Sequence, residues 1–320
     1  MQNVIAECIK QIRAIDYKQL DISDYNKTYI QNIFPYIDYV FTTYQHVLSV
    51  FSNHEKDNWI IDFGGGHGFL SLFLKKLGYK VIYCDFNPLS VQTITLIKEQ
   101  LGFGPDYIVT GSSLELKTFC KEQSLTPALL VATDLIEHVY DLSVFFRDLY
   151  EINPHFEMVF TTGSNPDNTF KCRKLRKIMI SDEKDFVNQR TEFIRREFPN
   201  IPDNEVKTLA IHTRGKIFSD VKQTVEQYLK TKQLPPLLKD PYNTCDPQKE
   251  SWTERILPFE DYKQLANTSG FQIDFAPGFY NEQRNNPVKS YLFRSINMLI
   301  RNNKKFKYSL APYIVLYLHP

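Results

Sequence analysis

The spacing of apolar residues changes character three times along the chain. Up to residue 57 they recur three or four apart (Ile12, Ile15; Ile30, Ile33, Phe34, Ile37, Val40, Phe41, Tyr44, Val47, Leu48), which predicts two or three helices with a DISD turn between them. From Asn58 short apolar runs alternate with helical stretches, the pattern of a parallel sheet built from strand-helix-strand units. Strands are predicted at 59–63, 81–85, 107–110, 128–133 and 158–162, and helices at 68–77, 89–101, 114–123 and 142–152. After Gly163 the alternation stops for about 90 residues, and a polar, helical texture broken by Pro199, Pro202, Pro235, Pro236, Pro241 and Pro247 follows. A structureless loop of that length is uncommon in a compact domain, so an inserted lobe is expected. Alternation returns near Leu257 with a helix PFEDYKQLANTSG, a strand FQIDFAP, a helix over 290–301 and a last strand PYIVLYLHP.

These shifts divide the chain into an N-terminal helical cap (1–57), a ligand-binding core (58–164), an inserted lobe (165–256) and a segment that completes the core sheet (257–320). The expected fold is α/β, with both the cap and the lobe over the carboxyl edge of the sheet.

Composition narrows the function classes. With 38 basic against 37 acidic side chains the net charge is +1, which leaves no nucleic-acid-type excess, and 42% hydrophobic residues rule out disorder. No apolar run reaches the roughly 20 residues of a membrane span, and Glu7 and Lys10 interrupt the start where a signal peptide would be apolar. A cytoplasmic protein with no membrane partner is expected. The five cysteines are scattered and form no C-x-x-C pair, so neither a disulfide framework nor a thiolate zinc site is indicated.

Only 12 glycines occur, yet Gly64, Gly65, Gly66 and Gly68 fall together after the strand WIIDF and before a helix. A chain so sparing with glycine concentrates it where backbone must approach something closely. A dinucleotide fingerprint would place its third glycine at position 69, which is Phe69. Asp85 closes the next apolar strand, where a carboxylate can accept both hydroxyls of a ribose. The helix N-terminus after Gly68 suits the carboxylate of an amino acid. S-adenosyl-L-methionine carries an adenine, a ribose and a zwitterionic methionine tail.

Through IIDFGGGHG, CDFNP and ATDLIEHVYD the chain resembles the class I S-adenosylmethionine-dependent methyltransferases. The resemblance implies a Rossmann-like sheet of about seven strands with the last strand antiparallel beside the fifth. It further implies that Asp62, Gly64, Gly66 and Gly68 surround the methionine portion, Asp85 the ribose and Phe86 the adenine. Asp134 follows the fourth strand, in the segment that lines the methyl-transfer cavity in that family, and is counted with the cofactor set. Where the family often has an acid after the third strand, this chain has Gly111-Ser112-Ser113, and Ser112 is the candidate adenine contact. The NTCDP to WTERILP stretch and LAPYIVLYLHP also look similar to uncharacterised bacterial methyltransferases.

A methyl on sulfonium is already activated, so the protein's tasks are alignment, water exclusion and, for a hydroxyl acceptor, removal of a proton. Asp134, Glu137 and His138 stand just beyond the fourth strand, and on a helical turn they would share one face. Three readings stay open: His138 as a general base tuned by Glu137, a metal site of Asp134, Glu137, His138 and the distant His212, or a His138 that only caps and packs. The E-H pair resembles the ubiquinone-biosynthesis O-methyltransferase branch and also the small-RNA 3′-terminal 2′-O-methyltransferases.

The lobe carries a basic run (Lys171, Arg173, Lys174, Arg176, Lys177), which nearby acids largely cancel. Its aromatic and polar groups, His212, Thr213, Arg214, Tyr242, Asn243, Thr244, Asp246, Trp252, Glu254 and Arg255, suit a sugar or polar ring, or else a self-packed lobe. The expected activity is O-methylation of a small polar metabolite or sugar. Metal-assisted RNA 2′-O-methylation and a non-catalytic S-adenosylmethionine-binding scaffold are the alternatives.

Overall fold

The structure is a computed structural model that describes residues 2–49, 51, 57–283 and 286–320; part of the predicted cap, at 52–56, lies outside the described residues. The opening helices are α1 (Gln2–Arg13), α2 (Asp24–Ile33) and α3 (Ile37–Leu48). Ser23 of the DISD turn starts α2 by accepting the Asn26 N–H. The core then alternates β1 (Trp59–Phe63), α4 (Phe69–Lys76), β2 (Lys80–Asp85), α5 (Pro88–Leu101), β3 (Tyr107–Thr110), α6 (Ser113–Glu122), β4 (Leu129–Thr133), α7 (Leu142–Ile152) and β5 (Glu157–Thr162). Short polar caps set these boundaries: Asn87 with Pro88 in the first turn opens α5, Gly102 in the left-handed region closes it, and Asp141 caps α7.

The lobe contributes α8 (Thr169–Glu197), α9 (Asp203–His212), α10 (Phe218–Thr231) and a two-residue pair, β6 (Cys245–Asp246) with β7 (Ser251–Trp252). Strands that short leave no period to read in a sequence. The chain closes with α11 (Phe259–Thr268), β8 (Gln272–Pro277), α12 (Pro287–Asn302) and β9 (Ile314–His319).

One seven-stranded sheet runs in the order β3-β2-β1-β4-β5-β9-β8. Strands β1 to β5 are parallel, and β9 inserts antiparallel to both β5 and β8, with Phe160 opposite Leu316. This is the Rossmann-like α/β class with its last strand reversed. Successive residues of a strand face opposite ways. Ile60 therefore joins a core shared with Phe41, Phe73 and Ile94 of α3, α4 and α5, while Ile61 joins one with Phe146 and Tyr262 of α7 and α11.

The strand order reverses between β1 and β4, and ligands of open α/β sheets bind in the crevice at such a switch, outside the carboxyl ends of the strands. Side chains pin the flanking parts around it. Asn26 Nδ2 donates to Thr93 Oγ1 at 2.7 Å, tying α2 to α5. Asn165 Nδ2 donates to the carbonyls of Tyr308 and Ala311, fixing the approach to α8 against the entry to β9. The lobe has its own apolar cluster (Ile194, Val206, Leu209, Val221, Val225), beside which a fully buried Arg190 meets Glu183 at 2.5 Å and the Ala210 carbonyl at 3.0 Å.

Candidate functional site

The glycine run forms the strand-to-helix turn that the sequence predicts. Gly64, Gly66 and Gly68 have φ of +67°, +52° and +77°, a region costly for residues with a Cβ. A Cβ on Gly64 would stand 2.3 Å from Leu135, and one on Gly68 2.2 Å from Ile94, so those two positions are closed by packing. At Gly66 a Cβ would meet nothing within 4 Å. A side chain there would project into open space.

Asp85, 6% exposed at the end of β2, fixes the turn: one carboxylate oxygen accepts the Gly66 N–H at 2.8 Å and the other the Asn87 N–H at 2.8 Å. Burial raises its pKa, while those two backbone donors pull it down. Asp62 lies beneath, 2% exposed, accepting from Ser71 Oγ at 2.6 Å; burial pushes its carboxyl up to about 7. Tyr83 donates to the Gly66 carbonyl at 2.7 Å, so both polar groups of that residue's backbone are anchored. Phe86, 63% exposed, offers a free apolar surface next to Asp85. Ser112 caps α6 in a reciprocal box with Glu115, donating to Oε2 at 2.5 Å and accepting from the Leu114 N–H at 3.2 Å. Its hydroxyl thus already has a structural task.

The DLIEH segment is a turn, not the helical turn expected. Asp134 sits at φ +50°, which breaks any helix start, so the three ionisable residues do not share the face of a helical turn. Water reaches the Asp134 carboxyl, yet enough protein surrounds it that lost hydration dominates and raises its pKa; Lys171 and His138 lower it and Glu254 raises it. Glu137 is 2% exposed, with one oxygen left without a hydrogen-bond partner, and burial beside Asp134 pushes its pKa well up. Burial therefore disfavours its charged form. His138 Nδ1 lies 2.9 Å from the Trp252 carbonyl. A carbonyl only accepts, so Nδ1 carries a proton, and in the neutral form of the ring the lone pair is on Nε2. The partner that orients the imidazole is thus Trp252 of the lobe and not Glu137, a correction to the tuning expected from their adjacency.

The four-residue metal set is likewise not assembled. Among the described residues no group of three His, Cys, Asp or Glu side chains is placed to hold a metal ion, and His212 Nδ1 is bonded to the Pro235 carbonyl at 2.7 Å. The polar and aromatic residues of the lobe mostly hold the lobe itself: Trp252 is 6% exposed with its N–H on the Tyr140 carbonyl, Asn243 bonds the backbone of Ile256, and Thr244 bonds Glu183. Of the residues expected there to suit a sugar, Glu254 acts on Asp134 and Glu137 across the crevice.

The crevice also recruits residues that were assigned no such place. Lys171, read as part of a basic run, stands in the first turn of α8 with Nζ 3.1 Å from where a Gly163 Cβ would lie. Tyr29 of α2 packs on His67 of the glycine loop with ring centroids 5.6 Å apart, and Tyr25 stacks on Tyr29 at 6.1 Å. Two tyrosines four apart, 70% and 46% exposed, on an otherwise half-buried helix were the available signal. His67 accepts the Phe69 N–H at Nδ1 (3.2 Å), and burial lowers its pKa to about 3, so it is neutral.

No family model matches the chain, and no curated protein matches it. Among solved structures it is similar to a SAM dependent methyltransferase from Archaeoglobus fulgidus, at 13% identity and a TM-score of 0.42 over 88% of this chain and 93% of that one. It is also similar to phosphoethanolamine N-methyltransferase 2 of Haemonchus contortus in complex with S-adenosyl-L-methionine, at 12% identity and a TM-score of 0.42, covering 87% of this chain and 52% of that one. A third is the SAM dependent methyltransferase from Agrobacterium tumefaciens, at 12% identity and a TM-score of 0.32 over 38% of this chain and 44% of that one. The chain spans about half the length of the Agrobacterium and Haemonchus structures, 44% and 52%. Likenesses this distant leave the site to be read from its own geometry.

Proposed function

We propose that the crevice binds S-adenosyl-L-methionine and that the protein transfers its methyl group to a small polar acceptor. One observation carries this reading: the glycine loop is open to space at Gly66 while Asp85 holds the loop in place, at the point where the strand order reverses. The residues fit the group. The loop and the start of α4 would face the methionine portion, Asp85 retains lone pairs for a ribose, and Phe86 offers a surface for a flat ring. Bound there, S-adenosyl-L-methionine would supply an electrophilic methyl on sulfonium.

The chain's own residues then have three tasks. Tyr25, Tyr29 and the lobe residues around Trp252 wall the crevice and limit water. Asp134, Lys171 and Glu254 offer charges of both signs to orient a polar acceptor. His138 Nε2, with Nδ1 fixed on the Trp252 carbonyl, can take the proton of an acceptor hydroxyl. We therefore favour O-methylation of a small polar metabolite, and a sugar fits less well now that the lobe's aromatics are engaged in packing.

Titration calorimetry with S-adenosylmethionine, S-adenosylhomocysteine, NAD and FAD tests the first half. Binding of NAD or FAD in preference would overturn it. Incubation with methyl-labelled S-adenosylmethionine and fractionated extract tests the second: label confined to RNA would replace the small acceptor, and ligand binding without label in any fraction would leave a scaffold.

A further inference from the structure

We propose that α12 is a surface-docking helix whose occupant is an anionic lipid bilayer. The helix touches the rest of the protein along a narrow line. Asn297 and Ile300 are its buried residues, and Phe293 stacks on Tyr280 with centroids 4.9 Å apart. At about 100° per residue these three lie on one side, and the opposite side carries Val288, Tyr291, Leu292, Met298 and Leu299. All five are exposed, at 74%, 74%, 52%, 58% and 40%. The stripe faces directly away from the body, and single exposed apolar residues need no explanation whereas a contiguous row does.

Charge specifies the occupant. From Asn286 to Pro320 the chain has no acidic residue, while Lys289, Arg294, Arg301, Lys304, Lys305 and Lys307 give +6 against +1 for the whole chain. Among the described residues one of these six has an acidic contact, Arg294 with Glu282 at 3.8 Å, too long and exposed to neutralise much. A helix with an outward apolar stripe, a basic flank and moderate overall hydrophobicity is built to lie in the plane of a membrane interface. Long, flexible Leu, Met and Tyr side chains on a convex helix suit fluid acyl chains, and the row of cations suits anionic headgroups. At 16 residues α12 does not span, and no described helix is long and apolar enough to cross a membrane. The sequence reading expects no membrane partner because no apolar run spans a bilayer, and an interfacial helix, which needs no such run, departs from that expectation.

The helix also stands on the functional edge. Pro277 at the end of β8 pairs with Ile314, which pairs with Thr162 at the end of β5. Ile300 and Arg301 line a pocket with Pro277, Gly278 and His46 at that end. Docking through α12 therefore sets the carboxyl edge of the sheet beside the lipid surface.

Flotation of the full chain with vesicles of phosphatidylcholine alone, and with part replaced by phosphatidylserine, tests the assignment. The chain is expected to float with the anionic vesicles, to be released by raised salt, and to stay behind with the neutral ones. Leu292→Glu, and separately the pair Lys304→Glu with Lys305→Glu, should each weaken partitioning about tenfold or more, while the melting temperature stays unchanged. Partitioning that ignores lipid charge, or that either variant leaves intact, overturns the proposal. So does sedimentation showing a dimer that Leu292→Glu dissociates, since the stripe would then be covered by a second copy of the chain.

Discussion

Gly66→Ala separates what the glycine loop does for the fold from what it does for a ligand. A methyl group at this position meets no protein atom within 4 Å, so the substitution creates no clash. Its structural cost is that of a left-handed alanine at φ +52°, about 1 to 2 kcal/mol. In a chain of this size that lowers the melting temperature by a few degrees, at roughly 2 to 4 °C per kcal/mol. The bonds that fix the loop, Gly66 N–H to Asp85 and Tyr83 hydroxyl to the Gly66 carbonyl, use backbone atoms and survive. If the open space is where the methionine portion lies, the new methyl group occupies it, and a displacement that forfeits one or two good contacts weakens binding about 10- to 100-fold, or ~1.4 to 2.8 kcal/mol. Calorimetry with S-adenosylmethionine, paired with thermal melting, reads both effects. A folded Gly66→Ala protein that binds as tightly as the parent would refute the reasoning, because nothing would then approach the loop there. Gly68→Ala is the contrast: a Cβ 2.2 Å from Ile94 should destabilise the fold itself.

Three further outcomes are expected. Asp85→Asn removes the charge but keeps one acceptor oxygen, and should weaken S-adenosylmethionine binding by about 1 to 3 kcal/mol in calorimetry, with the fold retained. His138→Ala should lower turnover of a hydroxyl acceptor by about 100- to 10,000-fold without changing ligand affinity, and EDTA should have no effect; an active variant leaves proximity and water exclusion as the whole catalysis. Asp62, held up at about 7, binds its proton more tightly folded than unfolded. Its contribution is therefore complete below pH ~4 and lost as pH rises through ~7, a swing of at most about 4 kcal/mol. Melting curves of Asp62→Asn should be flatter over that range than the parent's, and parallel curves would contradict the burial argument.

Residues whose role is set by local chemistry were legible in the sequence. WIIDF had to be a strand and the glycines after it a turn, because period and punctuation agree there, and the antiparallel PYIVLYLHP followed from the resemblance. The DLIEH segment was misread for a definite reason. Spacing alone allows a helical turn that gathers Asp134, Glu137 and His138, but the Asp134 N–H is drawn to the Thr161 carbonyl at 2.9 Å, and the left-handed backbone there turns Glu137 into the core. Partners from remote segments were illegible altogether. Trp252 reaches His138 across 114 positions, and Lys171 acts electrostatically on Asp134 from the start of α8, which Asn165 and Asn168 tie to the strand entry at Ala311. Nothing in local period or composition encodes such a meeting.

The electrostatics of the crevice lead to one more expectation. Asp85, Asp134 and Glu137 all have raised pKa values, chiefly because burial strips their hydration, and for Asp134 and Glu137 also because acids face one another, with Glu254 adding to both. Lys171 is the cation that offsets Asp134. Carboxyls whose charged forms burial disfavours should ionise more readily when a cation arrives, since an opposite charge within about 4 to 6 Å favours the ionised form. S-adenosylmethionine carries a sulfonium and an ammonium against one carboxylate, a net positive charge, whereas S-adenosylhomocysteine lacks the sulfonium and is net neutral. By linkage, binding of the first should liberate protons and tighten as pH rises above the usual carboxylate range, and binding of the second should do both less. Calorimetry in buffers of different ionisation enthalpy counts the protons directly. Equal release and equal pH dependence for the two ligands would mean that the sulfonium does not lie near these acids, and the role given to Asp134 beside the reacting groups would have to be abandoned.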